Sequence, residues 1–327
     1  MKAYNWGILG TGNIARKFTR ALMLLDNAHL HAVGSRDRSK AEAFASEYGF
    51  GTSYGSYEEL VADPGVEIVY ISSPHSHHLE HTLLALQNGK HVICEKPMSL
   101  NAAEVEIMVA EARQNGLFLM EALWPPFQPS YLKAGEILRS GKMGRLLHMR
   151  GKFAFISTYD PDLRTYDIQL GGGALLDIGI YPIMDILRYM GEPASISAAS
   201  VLSPTGADES TSAIFRFGDG RIAEAYCSFA NMGGVSTEFN CEKGNLILTR
   251  GRDRSQHLII EFPDDTDDRI FTPPAMGYQY EAMEVMSCLD RGLTESSVVP
   301  LSFTLTLART LDAIRGMTGI VYPGRDR

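Results

Sequence analysis

Residues 4–18 read Tyr4-Asn5-Trp6-Gly7-Ile8-Leu9-Gly10-Thr11-Gly12-Asn13-Ile14-Ala15-Arg16-Lys17-Phe18. An apolar run meets a glycine-rich turn, and an amphipathic pattern follows at once. Strand, then Gly-x-Gly-x-x-Ala, then helix is the context a dinucleotide-binding turn requires. Gly10 permits the tight turn, and Gly12 lets the backbone approach a pyrophosphate. Ala15 is small enough for close packing of helix on strand. The amides of Asn13 and Ile14, at the helix N-terminus, are ready donors to phosphate.

The pattern continues outward from that turn. Further strands are expected at His29–Gly34, Ile68–Ser72, His91–Cys94 and Phe118–Glu121. Helical patterns fall between them, at 14–25, 40–48, 57–61, 77–88 and 102–115. Strands apolar throughout, each followed by a helix, indicate a parallel sheet covered on both faces. From Gly144 the pattern changes. Seven strand-like runs lie between Leu146 and Phe262, two of them joined by Phe217-Gly218-Asp219-Gly220-Arg221 and two by Glu242-Lys243-Gly244-Asn245, both hairpin signals. Helices are expected at 174–190, 279–291 and 303–317. The fold class is therefore α/β plus α+β: an N-terminal Rossmann doubly wound parallel sheet over 1–122, then a mainly antiparallel open sheet with helices on one face over 123–327. Trp124-Pro125-Pro126-Phe127-Gln128-Pro129 marks the crossing.

Composition limits the function classes. The 327 residues include 21% charged side chains and carry a net charge of −9. No basic stripe invites nucleic acid. The acidic run Asp264-Asp265-Thr266-Asp267-Asp268 reads as a solvated loop. Cys94, Cys227, Cys241 and Cys288 are scattered without a CxxC, as in a reduced, cytoplasmic chain. No leader pattern opens the sequence, and no apolar stretch approaches the roughly 20 residues of a membrane span. A soluble enzyme without nucleic-acid or membrane partners is expected, and no metal. His77 and His81 have a chelating spacing, but no third ligand is visible in the sequence.

The end of the second strand selects the cofactor. Ser35, Arg36 and Arg38 suit a ribose 2′-phosphate, since the guanidinium fork matches phosphate geometry. Asp37 could instead take the ribose hydroxyl, so NADP is favoured and NAD stays open. In an open parallel sheet, ligands sit beyond the carboxyl ends of the strands. Ser72 ends one strand there, and Glu95-Lys96-Pro97 ends another. Lys96 could stabilise charge on a substrate oxygen, and Glu95 could orient the lysine or the ribose. In the second half, Gly171-Gly172-Gly173 opens a pattern with Asp177, Tyr181 and Asp185 at i, i+4 and i+8, hence on one helical face. Gly179 and Pro182 are expected to kink it.

These residues together resemble the glucose–fructose oxidoreductase / inositol dehydrogenase / MocA-type oxidoreductases over the whole chain. The early Gly-x-Gly-x-x-Ala, Glu95-Lys96-Pro97 and the glycine loop with Asp177 and Tyr181 carry the resemblance. Met120-Glu121-Ala122-Leu123-Trp124 and GGGALLDIGIYP resemble the dimeric dihydrodiol dehydrogenase and NADP-dependent xylose dehydrogenase branch. The resemblance implies a catalytic pair, with Tyr181 as acid/base and Lys96 lowering its pKa. It implies a cis Lys96–Pro97 peptide, Asp177 on substrate hydroxyls, and Pro74 and His78 in a cofactor-side loop. It also implies a homodimer through the C-terminal sheet. Trp124 and Phe127 would wall a pocket for a sugar or cyclic diol. The branch usually reads Trp-Thr-Arg-Phe where this chain has Trp124-Pro125-Pro126-Phe127, so an arginine contact to substrate is absent. Rival readings are a keto-sugar (anhydrofructose-type) reductase and a non-catalytic NAD(P)-sensing regulator.

Overall fold

The computed structural model describes residues 2–251, 253 and 255–326. The chain forms two compact units: one runs up to Phe127 and regains Pro274–Leu305, and the other comprises Gln128–Pro273 and the chain from Thr306.

The first unit runs β1 (Tyr4–Leu9), α1 (Asn13–Leu22), β2 (Ala28–Gly34), α2 (Arg38–Tyr48), β3 (Thr52–Tyr54), α3 (Tyr57–Ala62), β4 (Ile68–Ile71), α4 (His78–Gln87), β5 (His91–Glu95), α5 (Ala102–Asn115) and β6 (Leu119–Ala122). Its six strands lie in the order β3-β2-β1-β4-β5-β6, with every pairing parallel. The central strands are apolar because both faces are covered: Ile68, Val69, Tyr70 and Ile71 are fully buried. The strand order reverses between β1 and β4, which is where doubly wound sheets open a ligand crevice. The three-residue β3 was not expected, being too short to show a period.

The second unit runs α6 (Pro129–Arg139), β7 (Leu146–Ala154), α7 (Ile180–Met190), β8 (Ser195–Leu202), β9 (Asp208–Arg216), β10 (Ile222–Ser228), β11 (Gly234–Cys241), β12 (Gly244–Arg250), β13 (Gln256–Phe262) and β14 (Asp265–Phe271). The eight strands lie in the order β14-β13-β12-β11-β7-β10-β9-β8. All pairs are antiparallel except β7 with β10. Both hairpins form at the expected turns. The sheet has one inner face: Thr211, Ala213 and Phe215 of β9 are buried, while Ser212, Ile214 and Arg216 between them are exposed. α7 packs against β7 and β10. The later helices are α8 (Gln279–Asp290), in the first unit, and α9 (Leu301–Thr318).

Three expectations need correction. The acidic run is not a loop: Asp265–Phe271 is an edge strand, with Asp267 opposite Ile260 and Asp268 opposite Ile259. Charges on an edge strand deter pairing with another chain, so the polarity suits the place. The helix expected over 174–190 is divided. A π-type turn, Leu175–Gly179, hands over to α7, with Gly179 and Pro182 at the junction. Third, the run Ile168–Met190 is long and apolar enough to cross a membrane by length and composition. It is nonetheless almost wholly buried within the protein, as a core helix is.

Candidate active site

In the first unit the glycine turn forms as its sequence requires. Gly10 has φ of +103°, and a Cβ there would meet Ser72 Oγ at 2.9 Å. Ser72 Oγ donates to Leu9 O at 2.8 Å, tying the ends of β1 and β4 together. A Cβ on Gly12 would meet nothing within 4 Å. The N-terminus of α1 has no side-chain cap and no acid in its first turn. The donors there, from Asn13 and Ile14 onward, thus fit a dinucleotide pyrophosphate.

At the end of β2, Ser35 is buried and its Oγ accepts from the Asp37 amide at 3.3 Å. Asp37 caps α2: its Oδ1 accepts from Ser39 N at 3.0 Å, Ser39 Oγ at 2.6 Å and Lys40 N at 3.3 Å. Those bonds, the Ser39 hydroxyl foremost, hold its carboxyl below the usual range. Arg36 is exposed beside Tyr57, whose hydroxyl burial pushes up and Arg36 pulls back. Arg38 Nη2 reaches Glu59 Oε2 at 3.3 Å.

Lys96 stands on a turn clamped from two sides. The Lys96–Pro97 peptide is cis. His78 is fully buried, with Nδ1 2.8 Å from Pro97 O and Nε2 2.9 Å from Ser73 O. His78 thus fastens the loop behind Pro74 to the turn behind Lys96. From the other side, Glu121 Oε1 accepts from Met98 N at 2.8 Å. Burial pushes the Glu121 carboxyl up to about 7.

Behind the turn lies a buried group that the sequence did not disclose. Tyr70 donates a short hydrogen bond to Glu95 Oε1, and its ring stacks on Phe18 at 3.7 Å. Glu281 of α8 is fully buried, and its carboxyl is pushed well above the usual range, first by burial and then by the charge of Glu95. Burial and the neighbouring Glu95 thus both favour the protonated form of Glu281. No local signal marks residue 281, because its neighbour lies 186 positions earlier. Trp124 and Phe127 are both buried, and the Trp124 ring lies 5.5 Å from that of Tyr278.

The second unit holds Asp177 and Tyr181. Asp177, on the π-type turn, is buried and receives Arg164 Nη2 at 3.1 Å from both carboxylate oxygens. Sequence reasoning missed Arg164, which lies in an irregular segment without a repeating pattern. Tyr181 is half-buried, its ring 5.7 Å from Phe153. The glycine loop ahead of them is fixed by shape. Gly173 has φ of +126°, and a Cβ there would fall 2.3 Å from Asp208 Oδ1. Asp208 Oδ2 accepts from Leu175 N at 2.8 Å and Thr211 Oγ1 at 2.7 Å. Tyr322 Oη donates to Gly172 O at 3.0 Å from the C-terminal segment. Asp185, third in the stripe, turns into the core, where its Oδ2 accepts from Thr237 Oγ1 at 2.5 Å and Tyr131 Oη at 3.3 Å. It is a packing residue.

Comparison with known proteins agrees with this layout. Residues 4–123 match the family model described as an oxidoreductase family with an NAD-binding Rossmann fold, and residues 131–247 match the GFO/IDH/MocA C-terminal domain. Trans-1,2-dihydrobenzene-1,2-diol dehydrogenase of Mus musculus is 37% identical, the alignment covering 98% of each chain. The Homo sapiens protein of that name is 36% identical, again over 98% of each. Among solved structures, a 3-ketoreductase from Actinomadura kijaniata with NADP and TDP-benzene superposes with a TM-score of 0.86 at 24% identity, over 97% of this chain and 98% of that one. A levoglucosan dehydrogenase with NADH and levoglucosan gives a TM-score of 0.87 at 19% identity, over 97% of each chain.

Proposed function

The chain belongs to the GFO/IDH/MocA oxidoreductase family and is a nicotinamide-dependent oxidoreductase; from that premise we propose that it interconverts a hydroxyl and a carbonyl on a cyclic diol or sugar, with NADP as preferred cofactor. The observation that carries the reading is the presentation of Lys96, on a turn pinned by His78 and Glu121, in the same unit as the open glycine turn.

The capping role of Asp37 supports NADP. A carboxylate already accepting three hydrogen bonds has less to offer a ribose hydroxyl, while Ser35, Arg36 and Arg38 suit a 2′-phosphate. When bound, the nicotinamide supplies the site that accepts or returns hydride. Tyr181 takes the hydroxyl proton as that carbon is oxidised, and returns it to the oxygen in reduction. The ammonium of Lys96 favours the charged form of the oxygen that has lost its proton. Asp177 accepts from neighbouring substrate hydroxyls, with Arg164 orienting its carboxylate. Trp124 and Phe127 offer apolar surface to a ring face. The four cysteines, all unpaired, suit a reducing cytoplasmic setting. The open face of the eight-stranded sheet would pair two copies.

Two measurements test the reading. Titration with NADPH and NADH should show clear preference for NADPH; preference for NADH would return the ribose to Asp37. Tyr181→Phe should lower kcat by about 10²- to 10⁴-fold, with cofactor affinity nearly intact. A variant within a few-fold of wild type would refute the role of Tyr181.

A further inference from the structure

We propose that His77, Glu80 and His81 form a binding site for a divalent cation of the zinc class. The sequence shows a histidine pair at i, i+4; the structure adds the third ligand. One ligand atom from each of the three side chains lies within 4.8 Å of the other two. His77 Nδ1 is already 3.7 Å from Glu80 Oε2, and the rings of His77 and His81 lie 20° from parallel with centroids 5.5 Å apart. All three belong to one turn of chain entering α4, so a single helical face presents them.

Support from the surroundings is what separates this group from a chance cluster. His81 is buried, its Nδ1 2.9 Å from Ser73 Oγ and its ring met edge-on by Tyr57 at 4.7 Å. The Ser73 hydroxyl holds that ring from behind, and when Nδ1–H donates to it, Nε2 keeps the lone pair a metal needs, as in sites whose histidines are oriented by an outer partner. His77 is half-buried and Glu80 exposed, so both can rotate to close the small remaining distances. Two imidazoles and a carboxylate favour zinc, cobalt, nickel or copper over magnesium or calcium. Three protein ligands leave a fourth position to water. Arg36 adds a positive charge nearby, which the Glu80 carboxylate offsets.

The test is titration of chelator-treated, desalted full-length protein with Zn²⁺ by calorimetry, repeated with Co²⁺ to read coordination from its absorption spectrum. We expect one equivalent per chain and a nitrogen-and-oxygen cobalt spectrum. His77→Ala and His81→Ala should each weaken binding by at least about tenfold. His81 is buried, so its loss could disturb folding. His77→Ala and Glu80→Ala alter less buried positions and decide the matter, with unchanged circular dichroism as the control. Absence of saturable binding would overturn the site. So would equal affinity in wild type and the His77→Ala/Glu80→Ala double variant, which would place the metal elsewhere, for example on the half-buried Cys241.

Discussion

On the proposed reading, in which Asp177 meets substrate hydroxyls, Arg164 sets what that carboxylate offers them. A carboxylate on a polyol site must keep acceptor positions facing the ligand, and one guanidinium nitrogen equidistant from both oxygens fixes the plane in which they point. Arg164 is about two-fifths exposed and Asp177 far less so, so the pair contributes little to stability, within about 1 kcal/mol. On the proposed reading its effect belongs to binding. Arg164→Leu is expected to raise KM for diol or sugar by roughly tenfold with a smaller change in kcat, the signature of lost ground-state binding. Steady-state kinetics at saturating NADP would show it, and an unchanged KM would remove Arg164 from the site. The buried acids make a different prediction. Burial pushes Asp185 up to about 7 and Asp208 up to about 6, against 3.8 when unperturbed. The folded chain then keeps protons that the unfolded chain has lost between about pH 4 and pH 7. Stability from these groups is full below about pH 4, falls from there to about pH 6 for Asp208 and about pH 7 for Asp185, and is level above, at about 1.4 kcal/mol per pH unit for each proton. Urea midpoints should therefore drop from pH 5 to pH 8, and Asp185→Asn should flatten part of that drop. An equal drop in the variant would show that Asp185 does not titrate there.

At the scale of elements, the glycine loop is where backbone geometry and side-chain chemistry meet. Gly173 combines a left-handed φ with a carboxylate oxygen where its Cβ would stand. Gly173→Ala should cost about 2–4 kcal/mol, from strain plus displacement of Asp208. Gly218→Ala, in a turn with open space around it, should fall within about 0.5 kcal/mol of wild type. Chemical denaturation of both variants checks the contrast, and equal losses would mean that the loop yields. The sequence made some elements legible and hid others for physical reasons. Tyr4–Leu9 and Ala102–Asn115 are found at their expected limits because their periods are clean and capping residues bound them, with Asn101 accepting from Glu104 N at 2.9 Å. Pro129 was read as punctuation between domains, whereas it begins α6, where proline's missing N–H costs nothing. Lys96 and Asp177 stood out because local motifs frame them. Glu281 and Asp208 did not, since their partners lie far away in sequence, and Arg164 did not, since its irregular segment has no repeating pattern.

For the whole molecule, the outer face of the eight-stranded sheet bears most directly on assembly. Among the described residues it exposes Ile214 and Ile222, and beside them Arg150 Nε lies 3.7 Å from Glu224 Oε2. An antiparallel sheet tolerates one wetted face, so exposure alone does not demand a partner. In the proposed dimer, two-fold symmetry would set this face against the same patch on the other copy. That symmetry sharpens the test. A single charge introduced near the axis enters twice and repels itself, whereas on a monomer's surface it would be nearly silent. Light scattering behind gel filtration should give twice the chain mass for wild type, and Ile214→Arg should bring it to the chain mass while leaving cofactor binding unchanged. A wild type at the chain mass would dismiss the dimer. A variant still at twice the mass would keep the dimer and move its interface off this face.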